Sequence, residues 1–222
     1  MALDRLPIRC AGIDRILGGG FEAGIITQLY GESGSGKTNI VIQLAVQAVS
    51  LGYRVILIDT EGFSAERFKQ IAGENALEIA TKIVVFEPLS LEQQHSAIRE
   101  ASKLAGEGIG LLLMDSATSL YRASLESDDN RQVKRILTSQ IAELQEIARK
   151  HRFPVVVTNQ VYMDVDSDQL RPMGGTSMEH MCKAIILLER AGEGRRRAKI
   201  IKHRSQPEGT FAEFMITATG VM

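Results

Sequence analysis

Hydrophobic positions in this chain come in short dense runs separated by polar, helix-length segments. That alternation predicts an α/β fold with a mostly parallel central sheet and helices on both faces. Residues 25–30, 54–59, 82–87, 109–116 and 153–160 are apolar at nearly every position and largely β-branched. They are too short for helices and read as strands covered on both sides. Between them, residues 39–49 form an apolar helix. Residues 64–73 form another, with Ser64 as N-cap and Phe68 and Ile71 toward the sheet. Residues 90–106 place Leu91, Ile98, Ala101 and Leu104 at helical spacing, and 131–151 do the same with Val133, Leu137, Ile141, Leu144 and Ala148.

Three further strand-like runs close the chain, 183–190, 195–204 and 210–218, joined by the turns AGEG and SQPEG. The simplest reading is antiparallel strands that extend the sheet. The stretch 12–24, GIDRILGGGFEAG, is expected to be a surface turn whose glycines supply positive φ. Residues 122–130 and 161–175 are polar, lack periodicity and read as flexible loops.

The length of 222 residues suits one domain spanning 1–222. A formal net charge of −1 gives no bulk attraction to nucleic acid, so contact with DNA has to come from a local patch. Cys10 and Cys182 have no partners at zinc spacing and read as reduced core or surface residues. With neither a signal-like apolar stretch nor a bilayer-length run, a soluble cytoplasmic protein without membrane contact is expected.

The chemistry concentrates at GESGSGKT, composed of Gly31, Glu32, Ser33, Gly34, Ser35, Gly36, Lys37 and Thr38. Small residues at this spacing let successive backbone N–H groups curl around an anion at a helix N-terminus. Lys37 then reaches the β- and γ-phosphates of a nucleotide, and Thr38 offers a hydroxyl to Mg²⁺. The strand LLLMD ends on Asp115, the pattern in which buried apolar residues hold a Mg²⁺-binding carboxylate. Glu61, after the strand RVILID, is either a base for the water that attacks the γ-phosphate or a solvated loop residue. Asn159 or Gln160 either senses the γ-phosphate or is a satisfied strand-end amide.

The chain's basic concentration lies in Arg195, Arg196, Arg197, Lys199, Lys202, His203 and Arg204. One reading is a charged edge strand that resists aggregation. The other divides it into an Arg195–Arg197 tip for DNA phosphates and a Lys202–Arg204 group acting on a neighbouring subunit's nucleotide.

GGGFEAGIITQLYGESGSGKT, LIDTEGFSAERF, LLLMDSATSLYR, VVVTNQV, RPMGG and PEGTFAEFMIT occur in this order, and together they resemble the core of the RecA/RadA recombinase superfamily. The short form is similar to its archaeal RadB-type paralogues. The resemblance implies a RecA-type core, ATP and Mg²⁺ as ligands, Glu61 as catalytic glutamate, Gln160 as γ-phosphate sensor and Arg67 stacked on adenine. It also implies DNA, a RadA-type recombinase and a Holliday-junction resolvase as partners, with self-association left open. The N-terminal helical domain and docking linker of full-length recombinases are not expected. Asp164, Asp166 and Asp168 stand in the segment that matches a DNA-binding loop, where carboxylates repel phosphates. Lys202-His203-Arg204 is similar to the Lys-x-Arg trans fingers of KaiC-type ATPases. The expected function is an ATP-binding paralogue that assists recombination and repair with weak ATPase activity and no strand exchange of its own. Two alternatives are an active DNA-stimulated recombinase or motor, and a KaiC-like signalling ATPase.

Overall fold

The computed structural model describes residues 4–106, 108–125, 130–164 and 169–222. Its elements begin with β1 (Arg5–Leu6), α1 (Ala11–Ile16), β2 (Phe21–Glu22), β3 (Ile26–Tyr30), α2 (Lys37–Ser50) and β4 (Arg54–Asp59). They continue through α3 (Ala65–Ala72), α4 (Ala76–Ala80), β5 (Ile83–Phe86), α5 (Leu91–Leu104), β6 (Ile109–Asp115), α6 (Ser119–Leu125) and α7 (Asn130–His151). The last are β7 (Val155–Asn159), β8 (Val161–Asp164), β9 (Gln169–Pro172), α8 (Gly175–Met181), β10 (Ala184–Arg190), β11 (Arg195–His203), β12 (Phe211–Thr217) and β13 (Gly220–Val221).

Among the described residues, nine strands form one sheet in the order β13-β12-β11-β10-β3-β7-β6-β4-β5. From β10 to β5 every neighbouring pair is parallel; from β10 outward to β13 every pair is antiparallel. Parallel neighbours need crossovers, and helices supply them on both faces. On one face α2 packs Ile40, Val41, Leu44 and Ala48 against Leu29, Leu57, Leu113 and Val156. On the other, α5 and α7 cover Ile56, Ile58, Leu112, Met114 and Val157 with Ile98, Ala101, Ile141 and Leu144. Each Val, Leu, Ile or Met side chain among these contributes about 1.5–3 kcal/mol by leaving water. The carboxyl ends of β3, β4, β6 and β7 therefore reach one edge of a rigid sheet, where ligands of open α/β sheets bind.

Several expectations change. The opening segment is not a surface turn: α1 buries Ile13 and Ile16, and Leu17 and Phe21 join the same core. Its glycines do adopt positive φ at Gly18, Gly19, Gly20 and Gly24. Phe68 packs on Ile42 and Val46 of α2 and on Ala76 and Ile79 of α4, with Ile71 beside them, so α3 docks onto helices more than onto the sheet. The polar stretch after Tyr121 remains helical to Leu125, and residues 126–129 lie outside the described residues.

The segment 161–175 is not a plain loop. Val161, Tyr162, Met163 and Asp164 pair antiparallel with Pro172, Arg171, Leu170 and Gln169, and Asp164 meets Arg171 at 2.6 Å. Tyr162 and Met163 are exposed. With its apolar Tyr162 and Met163 exposed while Pro172 is buried and Val161 packs on the core, the hairpin carries no apolar alternation to reveal it. Asp166 and Asp168 lie outside the described residues. After the hairpin, α8 buries Met178. β10 pairs parallel with β3, so antiparallel pairing starts one strand later than expected. β11 lies between β10 and β12, which removes the edge-strand reading for Arg195, Arg196, Arg197 and Lys199, whereas the β12 register stops at Lys199 and leaves that reading open for Lys202 and His203.

Candidate nucleotide-binding site

Gly31 leaves β3 with φ of 154°, and a Cβ there would run into the Leu188 carbonyl of β10. The loop turns into α2 at Gly36, where φ is 105° and a Cβ would meet the Phe214 ring at 3.3 Å. These two glycines let the loop lie flat against its neighbours. Lys37, the first residue of α2, donates from Nζ to the Gly31 carbonyl at 2.8 Å and the Glu32 carbonyl at 3.0 Å. Burial draws its ammonium pKa down, against the pull of the Asp115 and Glu61 charges.

Thr38 Oγ1 donates to Asp115 Oδ2 at 2.8 Å, while Thr158 donates to Asp115 Oδ1. Asp115 is 4% exposed. Burial pushes its carboxyl pKa up, the two hydroxyls pull it back, and Glu61 raises it further. Such a pair of oxygen donors, one hydroxyl and one carboxylate, suits Mg²⁺, which takes one or two protein ligands beside phosphates. The Asp115–Ser116 peptide is cis.

Glu61 faces the same space. Its Oε1 accepts from Ser116 Oγ and from Gln160 Nε2, each at 2.9 Å. Glu61 is exposed in the loop after β4, as its solvated-loop reading has it, and its carboxylate is nevertheless held by two donors. Gln160 Oε1 and the buried Ser35 Oγ have no hydrogen-bond partner among the described residues. Gln160 borders a cavity of about 370 Å³ also lined by Gly31, Lys37, Thr38, Glu61 and Asp115, whereas Ser35 is fully buried within the loop. The orphaned Gln160 Oε1, a Gly-rich loop and a hydroxyl–carboxylate pair fit a phosphate chain with its cation. Ser116 was not anticipated; its position directly after Asp115 was the available signal. Asn159 proves to be a strand-end amide satisfied elsewhere, donating to the Met173 carbonyl at 2.7 Å and accepting from Thr118 at 2.6 Å.

Arg67, on α3, reaches Asn39 Oδ1 at 2.6 Å and the carbonyls of Thr217 and Ala218 at 2.7 and 3.0 Å. Asn39 follows Thr38 on α2, so the guanidinium lies beside the helix turn that opens the phosphate site.

The basic strand divides by position. Arg196 Nε donates to the Gly34 carbonyl at 2.8 Å, and Arg190 Nη2 to the Ser33 carbonyl at 2.9 Å. Arg190 was not among the expected site residues. Arg195 is exposed. Arg197 pairs with Glu213 at 3.1 Å and lies 4.7 Å over the Phe211 ring. At the far end, Lys202 Nζ donates to the Glu179 carbonyl at 2.6 Å and Arg204 Nε to Glu22 at 2.7 Å. Burial lowers the His203 pKa, with Glu22 opposing. Six residues of strand, roughly 20 Å, separate Arg196 from Lys202. Lys202, His203 and Arg204 are therefore distant from this chain's own phosphate loop.

A parallel sheet whose strand ends bring together a G-x-x-x-x-G-K-T loop, a buried aspartate and a glutamate held by a glutamine defines a RecA-type P-loop core. The Rad51 family model matches residues 5–222, and the chain belongs to that family. It is 54% identical to the DNA repair and recombination protein RadB of Methanococcoides burtonii, over 98% of this chain and 97% of that one. It is 45% identical to the RadB protein of Archaeoglobus fulgidus, with 97% of each covered. The crystal structure of the RadB recombinase matches with a TM-score of 0.84 at 34% identity, covering 97% of this chain and 98% of that one. Among the described residues, no helix is long and apolar enough to cross a membrane.

Proposed function

We propose that this chain is an ATP-binding, DNA-associated repair and recombination protein that hydrolyses ATP slowly and assists strand exchange without performing it. The observation that carries the nucleotide half of this reading is the convergence of Glu61 and Gln160 on the phosphate-loop cavity. Lys37 and the loop amides would grip the phosphates, and Arg67 would meet the base. Thr38 and Asp115 would hold Mg²⁺, whose charge draws negative density from the triphosphate. Both donors to Glu61 use Oε1, which would leave Oε2 for the attacking water, whose proton it would take as the water oxygen bonds to the γ-phosphorus and the bond from that phosphorus to the β,γ-bridging oxygen breaks, releasing ADP and phosphate. Gln160 Oε1 is placed to orient that water or sense the γ-phosphate.

DNA association rests on membership of the family and on the exposed Arg195 at the start of β11. Lys202, His203 and Arg204 would serve DNA or the nucleotide of a second copy, because their own loop is out of reach. Partners of the RadA-recombinase and junction-resolvase type, and a cytoplasmic setting, belong to the same proposal.

Steady-state ATP hydrolysis with and without single-stranded DNA, beside Glu61→Gln, tests it. A slow Glu61-dependent rate indifferent to DNA is expected. Strong DNA stimulation lost in the variant would replace this reading with an active recombinase. DNA affinity should fall with salt at a slope of about −0.7 to −0.9 per phosphate neutralised; no affinity at any salt would leave a signalling ATPase.

A further inference from the structure

The phosphate loop is gripped from outside by a hairpin more than a hundred residues later in the chain. Arg190 ends β10, Arg196 is near the start of β11, and the two are directly opposed in the antiparallel register. Like charges facing each other across a strand pair destabilise it. Here each guanidinium donates to a carbonyl at the apex of the loop, Arg190 to Ser33 and Arg196 to Gly34. Gly34 has φ of 74°, and a Cβ there would stand 2.9 Å from Arg190 Nη2. The absence of a side chain at Gly34 thus admits the guanidinium.

In a trans peptide the C=O and N–H point in opposite directions. Drawing the Ser33 and Gly34 carbonyls outward therefore aims the N–H groups of Gly34 and Ser35 toward the loop's concave side. The Ser35 N–H there now reaches the Glu32 carbonyl at 3.2 Å. Two fixed positive charges behind the loop also add to the potential felt by an anion in front of it.

We propose that Arg190 and Arg196 are positioning residues of the triphosphate site, holding the loop open for phosphate and supplying positive charge behind it. The inference rests on the reading of the loop as a nucleotide-phosphate site. It departs from the expectation that Arg196 belongs to a DNA-contacting tip.

The test is calorimetric titration of MgATP into the full chain, its Arg190→Ala/Arg196→Ala variant and its Arg190→Lys/Arg196→Lys variant. Circular dichroism melts without nucleotide accompany each titration. The alanine pair should bind ATP at least tenfold more weakly, and the lysine pair, which keeps a cationic donor, should recover most of the loss. If the double alanine variant does not fold, the single alanine variants are titrated, and each should lose affinity in part. Unchanged affinity in the alanine variants would overturn the inference alone. So would a loss that lysine leaves uncorrected, which would assign the effect to hairpin packing. Failure of the unaltered chain to bind ATP would overturn the nucleotide reading and this inference together.

Discussion

Gln160 Nε2 donates to Glu61 Oε1 at 2.9 Å across the ends of β7 and β4, two strands separated by β6. The amide and the carboxylate are 99 residues apart in the chain, and only the parallel sheet makes them neighbours. A γ-phosphate or attacking water entering between them would meet both at once. Glu61→Gln keeps the shape and removes the base. It should lower kcat for ATP hydrolysis by about 10²–10⁴ while leaving ATP affinity nearly unchanged. Single-turnover hydrolysis alongside ATP titration checks this, and equal losses in both would deny Glu61 a catalytic role.

Asp115 is a buried carboxylate kept for its ligand at a cost to the free fold. Its raised pKa means that the ionised form is penalised in the native state, so its contribution to stability is present in acid and lost as pH rises through the folded pKa. Asp115→Asn should melt higher than the parent at neutral pH without nucleotide, and the gap should narrow as pH falls toward the carboxylate range. The same variant should lose the additional stabilisation by MgATP, which for the parent is about 2.7 kcal/mol at 100 times the dissociation constant. Melting curves across pH, with and without MgATP, decide it.

Arg67 ties α3 to the chain's last strands and to Asn39. Arg67→Ala removes charged hydrogen bonds to two carbonyls and is expected to cost about 1–3 kcal/mol in urea unfolding. If the guanidinium also meets the base, discrimination between ATP and GTP should fall in parallel. Lost stability with intact discrimination would restrict Arg67 to a structural tie.

Gln28 lies fully buried in β3, beside Val157 of β7 and Ile185 of β10. Neither polar atom of its side chain has a partner among the described residues. A buried unsatisfied amide costs more than an apolar isostere. Gln28→Leu should therefore raise the unfolding free energy by about 1–3 kcal/mol, measured by urea denaturation. A loss instead would mean that the amide is satisfied in solution.

The sheet was legible because strands buried on both faces must be apolar throughout, and β3, β4, β5, β6 and β7 each matched an expected run to within a residue or two at either end. The phosphate loop was legible for a different reason. Its glycine spacing encodes a backbone shape, and Lys37, Thr38 and Asp115 belong to local motifs on either side of strand ends. Short elements that bury only a few residues left no such mark. The β8–β9 hairpin, with Tyr162 and Met163 exposed, is held by its backbone ladder. α1 was hidden among glycines although Ile13, Ile16 and Leu17 stood at helical spacing.

Sequence alone thus determined the α/β class, the central strands, the helices α2, α3, α5 and α7 and the place of the glycine-rich loop. All of these follow from local periodicity or from residues adjacent in the chain. Tertiary structure decided which distant groups meet: Gln160 with Glu61, Arg190 and Arg196 with the loop apex, and Arg67 with the C-terminal strands. It also decided that β11 lies inside the sheet and that Lys202 to Arg204 stand away from their own phosphate loop. Those relations depend on strand order and register, which arise from packing between elements far apart in the chain, and no local pattern records them.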